Sequence, residues 1–531
     1  MFNVFRNILK KREVSVPKTF ITKEDVMRLP IETAAIRVSK ITYNSLIFDP
    51  VGYEEYFWFC ENHRTELIKL IALKYNPIRQ ITYNMPKRSF TFRPVGYLNP
   101  IDSIMYQSIV DLIIKYKRKK FSNNVYSNII NDIKMSDVFH EPVIHWIEMR
   151  NNLRHQNNKG NNYYFNSDIS GFFENIKIKK LMTLVDFYVG KKETKYLEQL
   201  SIMLEKWHFA NSQGLIQPHN ASAILAKIYL SRVDSEFCHY GKRYSRYVDE
   251  FHILSDNRTE ILRSSITLSN QLRDLGLNLN SSKSEYLEND EILSAIDGEQ
   301  DFYQHVNYTS NILHDDSKSI ELVESKFIEF INLSKSEFKI NWKIYRYCIR
   351  KFSKTNNPIA ISYVLEILTT SFDQLVDNLQ YLSKFINNHP ASEEIIATVF
   401  GYIMNMDTNI YNWVQLWLLA LIYHVENSTY LDFKYIFELL NNRNTDPLSR
   451  SMAYLIYAKH HSDHDLIFLI DHYNREPYLV IKRAILCGIS KLPDTIKNKI
   501  YEINVNESID IIVLKKYLRS NSYKFISVLN K

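Results

Sequence analysis

Glycine is the feature that most limits what this chain can fold into. There are 11 in 531 residues, about 2% against a typical ~7%. Tight turns with positive φ depend on glycine, so the shortage argues against a turn-rich all-β architecture and favours long helices. The spread is also unequal. Nine glycines lie in the first 298 residues, and two, Gly401 and Gly488, lie beyond. This predicts two parts of different construction, within the two to four domains expected at roughly 100–200 residues each.

The hydrophobic pattern divides the chain in the same way. The first part mixes helical patterns with short β-like segments such as YYFNSDI (163–169) and SRYVDEFHIL (245–254). Beyond about residue 315 almost every segment carries apolar residues at i, i+3, i+4 and i+7. Examples are ELVESKFIEFINL, IAISYVLEILTTSF, NWVQLWLLALIYHV and YLDFKYIFELL. The boundary is placed near residues 300–318, giving parts 1–310 and 311–531. Around Pro447 and Pro477 the sequence repeats weakly at a 30-residue period, with proline placed to start a helix and Arg and Ala following. Stacked helical hairpins of this period form an α-solenoid of HEAT-like type, and an irregular bundle is the plainer reading.

Net charge is +7, with a pI near 8.8. That permits a polyanionic partner without requiring one. The densest basic run is Lys115, Lys117, Arg118, Lys119 and Lys120, read equally as a solvated helix face or a phosphate contact. Four scattered cysteines without a CxxC pair argue against a disulfide framework or a zinc site and fit a reducing, cytoplasmic setting. Trp413–Val425 is the most apolar stretch. It is shorter than the ~20 residues a membrane span needs, so no membrane association is expected.

Four segments of the first part carry chemistry, and their order matters more than any one of them. FNSDISGFFENI (165–176) places Asp168 at the end of an apolar stretch, before Phe172 and Phe173. SQGLIQPHNASAILAKIYLSRVD (212–234) follows, with Gln217. YSRYVDEFHIL (244–254) sets Asp249 beside Glu250 in a hairpin-like turn, and LGLNLNSSKSEYL (275–287) carries Lys283. Singly these are a strand-end carboxylate and polar turns. Two strands that bring carboxylates to one point can hold two Mg²⁺ ions about 3.5–4 Å apart, which stabilise the attacking and leaving oxygens of phosphoryl transfer. Hard divalent cations take oxygen ligands, so Asp and Glu are the right residue types.

In this order the segments resemble a reverse transcriptase over roughly residues 80–290, the fingers and palm of that family. The resemblance implies that Asp168, the backbone carbonyl of Ile169 and Asp249 are metal ligands for two Mg²⁺ ions, with Mn²⁺ as a substitute. Phe173 falls at the family's aromatic steric gate, which clashes with a 2′-hydroxyl and so selects dNTPs. Gln217 falls beside the incoming nucleotide, with Pro218 replacing the usual glycine. Glu250 replaces the second Asp of the Tyr-x-Asp-Asp hairpin, and it would ligate a metal or orient the groups that do. Lys283 would protonate the pyrophosphate leaving group. Upstream, MPKRSFTFRPVGYLNP resembles the fingers segment, in which Arg93 with Lys87 or Arg88 would hold the triphosphate.

A reverse transcriptase followed by a long helical part resembles the bacterial abortive-infection (Abi) polymerases, of the AbiK and prophage-encoded types. The fold class implied is an α+β fingers and palm followed by an all-α HEAT-like helical-repeat domain. That family implies template-independent DNA synthesis, primed from a tyrosine hydroxyl. The single-stranded DNA product stays covalently attached, the protein is a homo-oligomer, and its role is antiphage defence. With 36 tyrosines the priming residue is not identifiable from spacing, and Tyr43 in KITYNS is one candidate. Two other readings stay open: an RNA-templated reverse transcriptase with a partner RNA, and a non-catalytic nucleic-acid-binding scaffold.

Overall fold

The computed structural model describes residues 21–41, 46–87, 91–117, 121–297, 316–334, 342–405, 411–504, 506–525 and 529. Arg88 and Tyr43, and most of the expected boundary at 300–318, lie outside them.

Four helices, α1 (Lys23–Arg28), α2 (Ile31–Ile41), α3 (Glu54–Asn62) and α4 (Arg64–Lys74), lead into the hairpin β1 (Ile81–Pro86) and β2 (Phe92–Tyr97). Helix α5 (Pro100–Ile114) starts with proline at its first position and is buried along its whole length. It packs on α10 (Asn220–Glu236) at the centre of the first part. Between them come α6 (Pro142–Asn158), strand β3 (Tyr163–Ser167), α7 (Phe172–Asn175), α8 (Ile178–Val189) and α9 (Thr194–Trp207). The hairpin β4 (Tyr244–Tyr247) and β5 (Glu250–Ser255), helix α11 (Arg258–Leu275), strand β6 (Glu285–Glu288) and helix α12 (Asp290–Asp297) complete it.

The four-stranded sheet is antiparallel with order β4-β5-β3-β6. Side chains alternate between its faces. Phe165, Phe251 and Ile253 join the core that α10 and α11 also enter. On the opposite face Tyr164 pairs with Leu254, and Asn166 with His252. There Tyr164 and Leu254 form a smaller core with Met149 and Leu153 of α6 and Ile292 and Ile296 of α12.

Beyond residue 315 the described residues form α- and 3₁₀-helices with short connections. These begin with α13 (Asp316–Ser334), α14 (Trp342–Thr355), α15 (Ile361–Ile367), α16 (Leu375–Leu382) and α17 (Ser392–Met404). Helices α18 (Asn412–His424), α19 (Phe433–Asn441), α20 (Pro447–His460) and α21 (Phe468–Arg475) follow. The last are α22 (Leu479–Ile489), α23 (Asp494–Ile500) and α24 (Ile509–Ser520). Alternate helices touch: α14 with α16, α16 with α18, α18 with α20, α20 with α22, and α22 with α24. This makes one buried layer, in which α18 is enclosed from Trp413 to Tyr423. The apolar stretch read as too short for a membrane is therefore core, and no described helix is long and apolar enough to span one.

The helical core is not self-contained. It incorporates Ile47, Phe48 and Val51, and Tyr83, Val95 and Tyr97 of the β1–β2 hairpin. Two sequence expectations change. Pro447 does open α20, but Pro477 lies two residues before α22. Lys117 is neither a solvated nor a phosphate-facing group: it is buried, with its ammonium 3.8 Å from the Tyr188 ring centroid.

Candidate active site

Asp168 directly follows β3. Its backbone continues as a short antiparallel pair, in which the Asn280 amide donates to the Asp168 carbonyl at 2.8 Å and the Ser170 amide to the Asn278 carbonyl at 2.9 Å. In such a pair the middle residue, Ile169, turns its own carbonyl away from the partner strand. That points this carbonyl away from the Asn278–Asn280 segment. Gly171 then reverses the chain at φ +56° and opens α7.

The register also explains Glu250. Ser167 lies opposite Phe251, so Glu250 is the next residue across from Asp168, on the same face. Asp249 occupies the second place of the two-residue turn Val248–Asp249, between the paired Tyr247 and Glu250. Val248 has φ +55°. A β-branched residue in this left-handed region carries strain on the order of 1–3 kcal/mol.

The carboxylates are crowded. Burial raises the pKa of Asp249, and the neighbouring charge of Asp168 adds to it, while Arg93 and Lys283 oppose. Glu250 is also raised, first by lost hydration and then by Asp249, while Lys343 opposes. Glu250 reaches the surface, where solvent screens part of that repulsion. Lys283 donates to Asp168 Oδ2 at 2.7 Å, and the buried Asp168 Oδ1 has no hydrogen-bond partner.

The segments that carry Phe173, Gln217 and Arg93 are joined by backbone contacts. The Leu215 amide donates to the Phe173 carbonyl at 2.9 Å, and the Gly96 amide donates to the Gln217 carbonyl at 2.9 Å. A Cβ at Gly96 would run into the end of the Gln80 side chain and lie 3.0 Å from Ile216, so a larger residue here would force both to give way. Arg93, three residues earlier, is half-buried within electrostatic reach of Asp249. Lys87 has its pKa lowered by burial and by Arg93, and it senses Glu174 and Lys283. Phe173 is half-buried against Phe172.

Groups that the sequence reading missed complete the site. A cavity of about 220 Å³ beside the carboxylates is lined by Asp168, Glu250, Lys283, His252, Trp146 and Lys343, among others. His252 is buried, which pushes its pKa down to about 4, and its Nδ1 meets the Tyr164 hydroxyl at 2.8 Å. Lys343 comes from α14, so the helical part reaches the site. A polar residue at an inward strand position is the signal that could have found His252. Lys343 had none.

Among the described residues no three His, Cys, Asp or Glu side chains form a ready-made metal cage. The donor set nevertheless fits a hard divalent cation. It offers paired carboxylates, an unpartnered buried oxygen on Asp168, and a Lys283 ammonium that balances their charge.

Residues 85–328 match the family model described as reverse transcriptase (RNA-dependent DNA polymerase). No curated protein matches the chain. Among solved structures, apo telomerase from Candida tropicalis truncated from its C-terminal domain aligns at 14% identity over 45% of this chain, with a TM-score of 0.28. This chain spans 56% of that one. Apo telomerase from Candida tropicalis gives 11% identity, 68% and 74% coverage and a TM-score of 0.31. Telomerase from Candida albicans in complex with a TWJ fragment of telomeric RNA gives 11%, 68% and 71%, and 0.32. The family implies nucleotidyl transfer with a divalent metal such as Mg²⁺. Asp168, Asp249, Glu250 and Lys283 thus all lie within the segment that matches the reverse transcriptase model.

Proposed function

We propose that this protein is an antiphage DNA polymerase of the abortive-infection type, adding dNTPs without a template to a strand primed from one of its own tyrosines. The observation that carries this reading is the partial covering, at its Tyr164–Leu254 end, of the sheet face that bears Asp168 and Glu250. Helices α6 and α12 pack onto that face, and the cavity left beside the carboxylates is about 220 Å³. A templated enzyme needs this face open for a duplex. A single strand retained by covalent attachment does not. The alternating helical layer supports a HEAT-like repeat architecture in place of a duplex-holding thumb.

Asp168, Asp249 and the Ile169 carbonyl would hold two Mg²⁺ ions, with Glu250 ligating or orienting. When bound, the ions supply charge stabilisation for the attacking and leaving oxygens. Arg93 and Lys87 bind the triphosphate, Arg93 through paired N–H donors. Gln217 and Phe173 border the sugar and base, and the Phe173 ring excludes a 2′-hydroxyl. Lys283 leaves Asp168 Oδ2 and gives its proton to the departing pyrophosphate. A homo-oligomer and a cytoplasmic setting belong to the same reading.

The test is incorporation of labelled dNTPs by purified protein with Mg²⁺. Label that resists denaturation but not nuclease supports the reading. If added primer–template or a co-purified RNA is required, the RNA-templated alternative holds, which the family's RNA-dependent description favours. Phage protection that persists in Asp249→Asn would mark the protein as a scaffold.

A further inference from the structure

Asp249 stands in a turn whose first residue is ill suited to it. Glycine or asparagine holds the positive-φ places of most two-residue hairpin turns, and here the residue is Val248 at φ +55°. Such a conformation persists only where the surroundings over-determine it.

Two contacts grip the turn on its two sides. The Val248 amide donates to Ser127 Oγ at 2.6 Å, and Arg246 Nη1 donates to the Val248 carbonyl. Arg246 is in turn held rigidly. Its Nε and Nη2 donate to the two carboxylate oxygens of Asp234, at 2.7 and 2.6 Å, from the end of α10. The Tyr244 hydroxyl donates to the same Asp234 at 2.8 Å. The Arg246 backbone pairs with the loop before Ser127, through Asn124 and Tyr126 at 2.9 and 3.0 Å. Lys227 fixes that loop by donating to the Ser127 and Asn128 carbonyls at 2.8 and 2.9 Å. The Arg246 and Asp234 side chains are 1% and 2% exposed.

A buried ion pair is weak evidence for stability, since apolar residues of the same shape often serve as well. An apolar pair cannot offer a donor to the Val248 carbonyl. We propose that Asp234, Arg246 and Ser127 form a buried clamp that holds the Val248–Asp249 turn in its left-handed form and so aims the Asp249 carboxylate toward Asp168, where the two would hold a divalent cation. They are positioning residues. The inference rests on Asp249 as a metal ligand.

The test compares the parent protein, Ser127→Ala, and the paired Asp234→Asn/Arg246→Gln variant. The readouts are Mn²⁺ binding by electron paramagnetic resonance, kcat and KM for dNTP, and amide exchange across residues 247–250. The clamp predicts Mn²⁺ affinity lower by roughly 10-fold or more, a lower kcat with KM for dNTP retained, and faster exchange. Adding Val248→Gly to Ser127→Ala should recover part of the lost affinity, because glycine adopts this turn unaided. A structural role alone would not produce that recovery. Parent-like Mn²⁺ affinity and exchange in Ser127→Ala, or no recovery with Val248→Gly, overturns the clamp. If the paired variant does not fold, Ser127→Ala decides. A parent that binds Mn²⁺ through Asp249 but incorporates no nucleotide defeats the polymerase reading, and the clamp is still judged by binding and exchange. Mn²⁺ binding indifferent to Asp249→Asn overturns the clamp.

Discussion

The buried arginines of the helical part and the carboxylates around Asp168 are treated in opposite ways. In the helical part the arginines are paired with carboxylates. Arg483 of α22 is fully enclosed and meets Asp49 at 2.5 Å and Glu55 at 2.6 Å. Arg450 of α20 meets Glu476 at 2.8 Å, also out of solvent. Around Asp168 the carboxylates repel one another, and one buried oxygen has no partner. A satisfied charge locks elements together, and Arg483 joins α22 to the segment before α3. An unsatisfied cluster is destabilising until something binds it. The clamp pair Asp234–Arg246 lies close to the site yet belongs to the first kind.

The largest effect that separates the two kinds is expected from Asp249→Asn. It should lower dNTP incorporation by about 10³-fold or more, since metal-borne charge stabilisation contributes several kcal/mol. Its melting temperature should match or exceed the parent's, because the substitution removes a disfavoured charge. A variant that kept a tenth of the activity, or melted well below the parent, would break the contrast. Arg483→Ala should behave in the opposite sense. It leaves Asp49 and Glu55 buried without their cation, at a cost of about 3–5 kcal/mol, readable in urea unfolding. Stability near the parent value would place Arg483 among the weak pairs.

The next effect is smaller and lies between the two kinds. Arg93→Ala should raise KM for dNTP by roughly 10- to 100-fold, the worth of hydrogen bonds to a charged group, with a lesser change in kcat. Arg93→Lys should recover part of it, since an ammonium keeps the charge but not the paired donors. An unchanged KM in Arg93→Ala would move triphosphate binding to Lys87 and Lys283.

Much of the site was legible because its chemistry is local in sequence. Strand alternation and a two-residue hairpin put Asp168, Asp249 and Glu250 together, and each lies in a segment short enough to read. The scaffold was not legible. Ser127 and Lys343 come from a loop and a distant helix whose local pattern gives no sign of where they fold. Arg246 stood inside a quoted motif, and its alternation with Tyr244 on an inward strand face was the missed signal of a buried charge. Of the two late glycines, Gly488 serves close packing, since a Cβ there would lie 2.8 Å from Leu469. Gly401 does not, because its Cβ would meet nothing within 4 Å. Helical periodicity identified α13, α18 and α19, but it could not foretell that their layer shares its core with the β1–β2 hairpin.

The smallest expected effect concerns stability against pH, and it sharpens the contrast most. Asp249 and Glu250 have folded-state pKa values raised above their ordinary ones. Their ionised forms are therefore disfavoured in the fold. That destabilisation is complete above the raised values and disappears as pH falls below the ordinary carboxylate range. Without divalent metal, this part of the melting temperature should rise as the solution is acidified through that window, and Asp249→Asn should flatten it. Mg²⁺ should reverse the slope. A ligand that binds only the folded form adds about 2.7 kcal/mol at a concentration 100 times its dissociation constant. The gain should be full at neutral pH and shrink in acid as protons compete for the same oxygens. Incorporation should fall on the acid side through the same window. A Mg²⁺-dependent gain that ignored pH and survived Asp249→Asn would mean that the cation binds elsewhere, and the crowded carboxylates would then need another ligand to account for them.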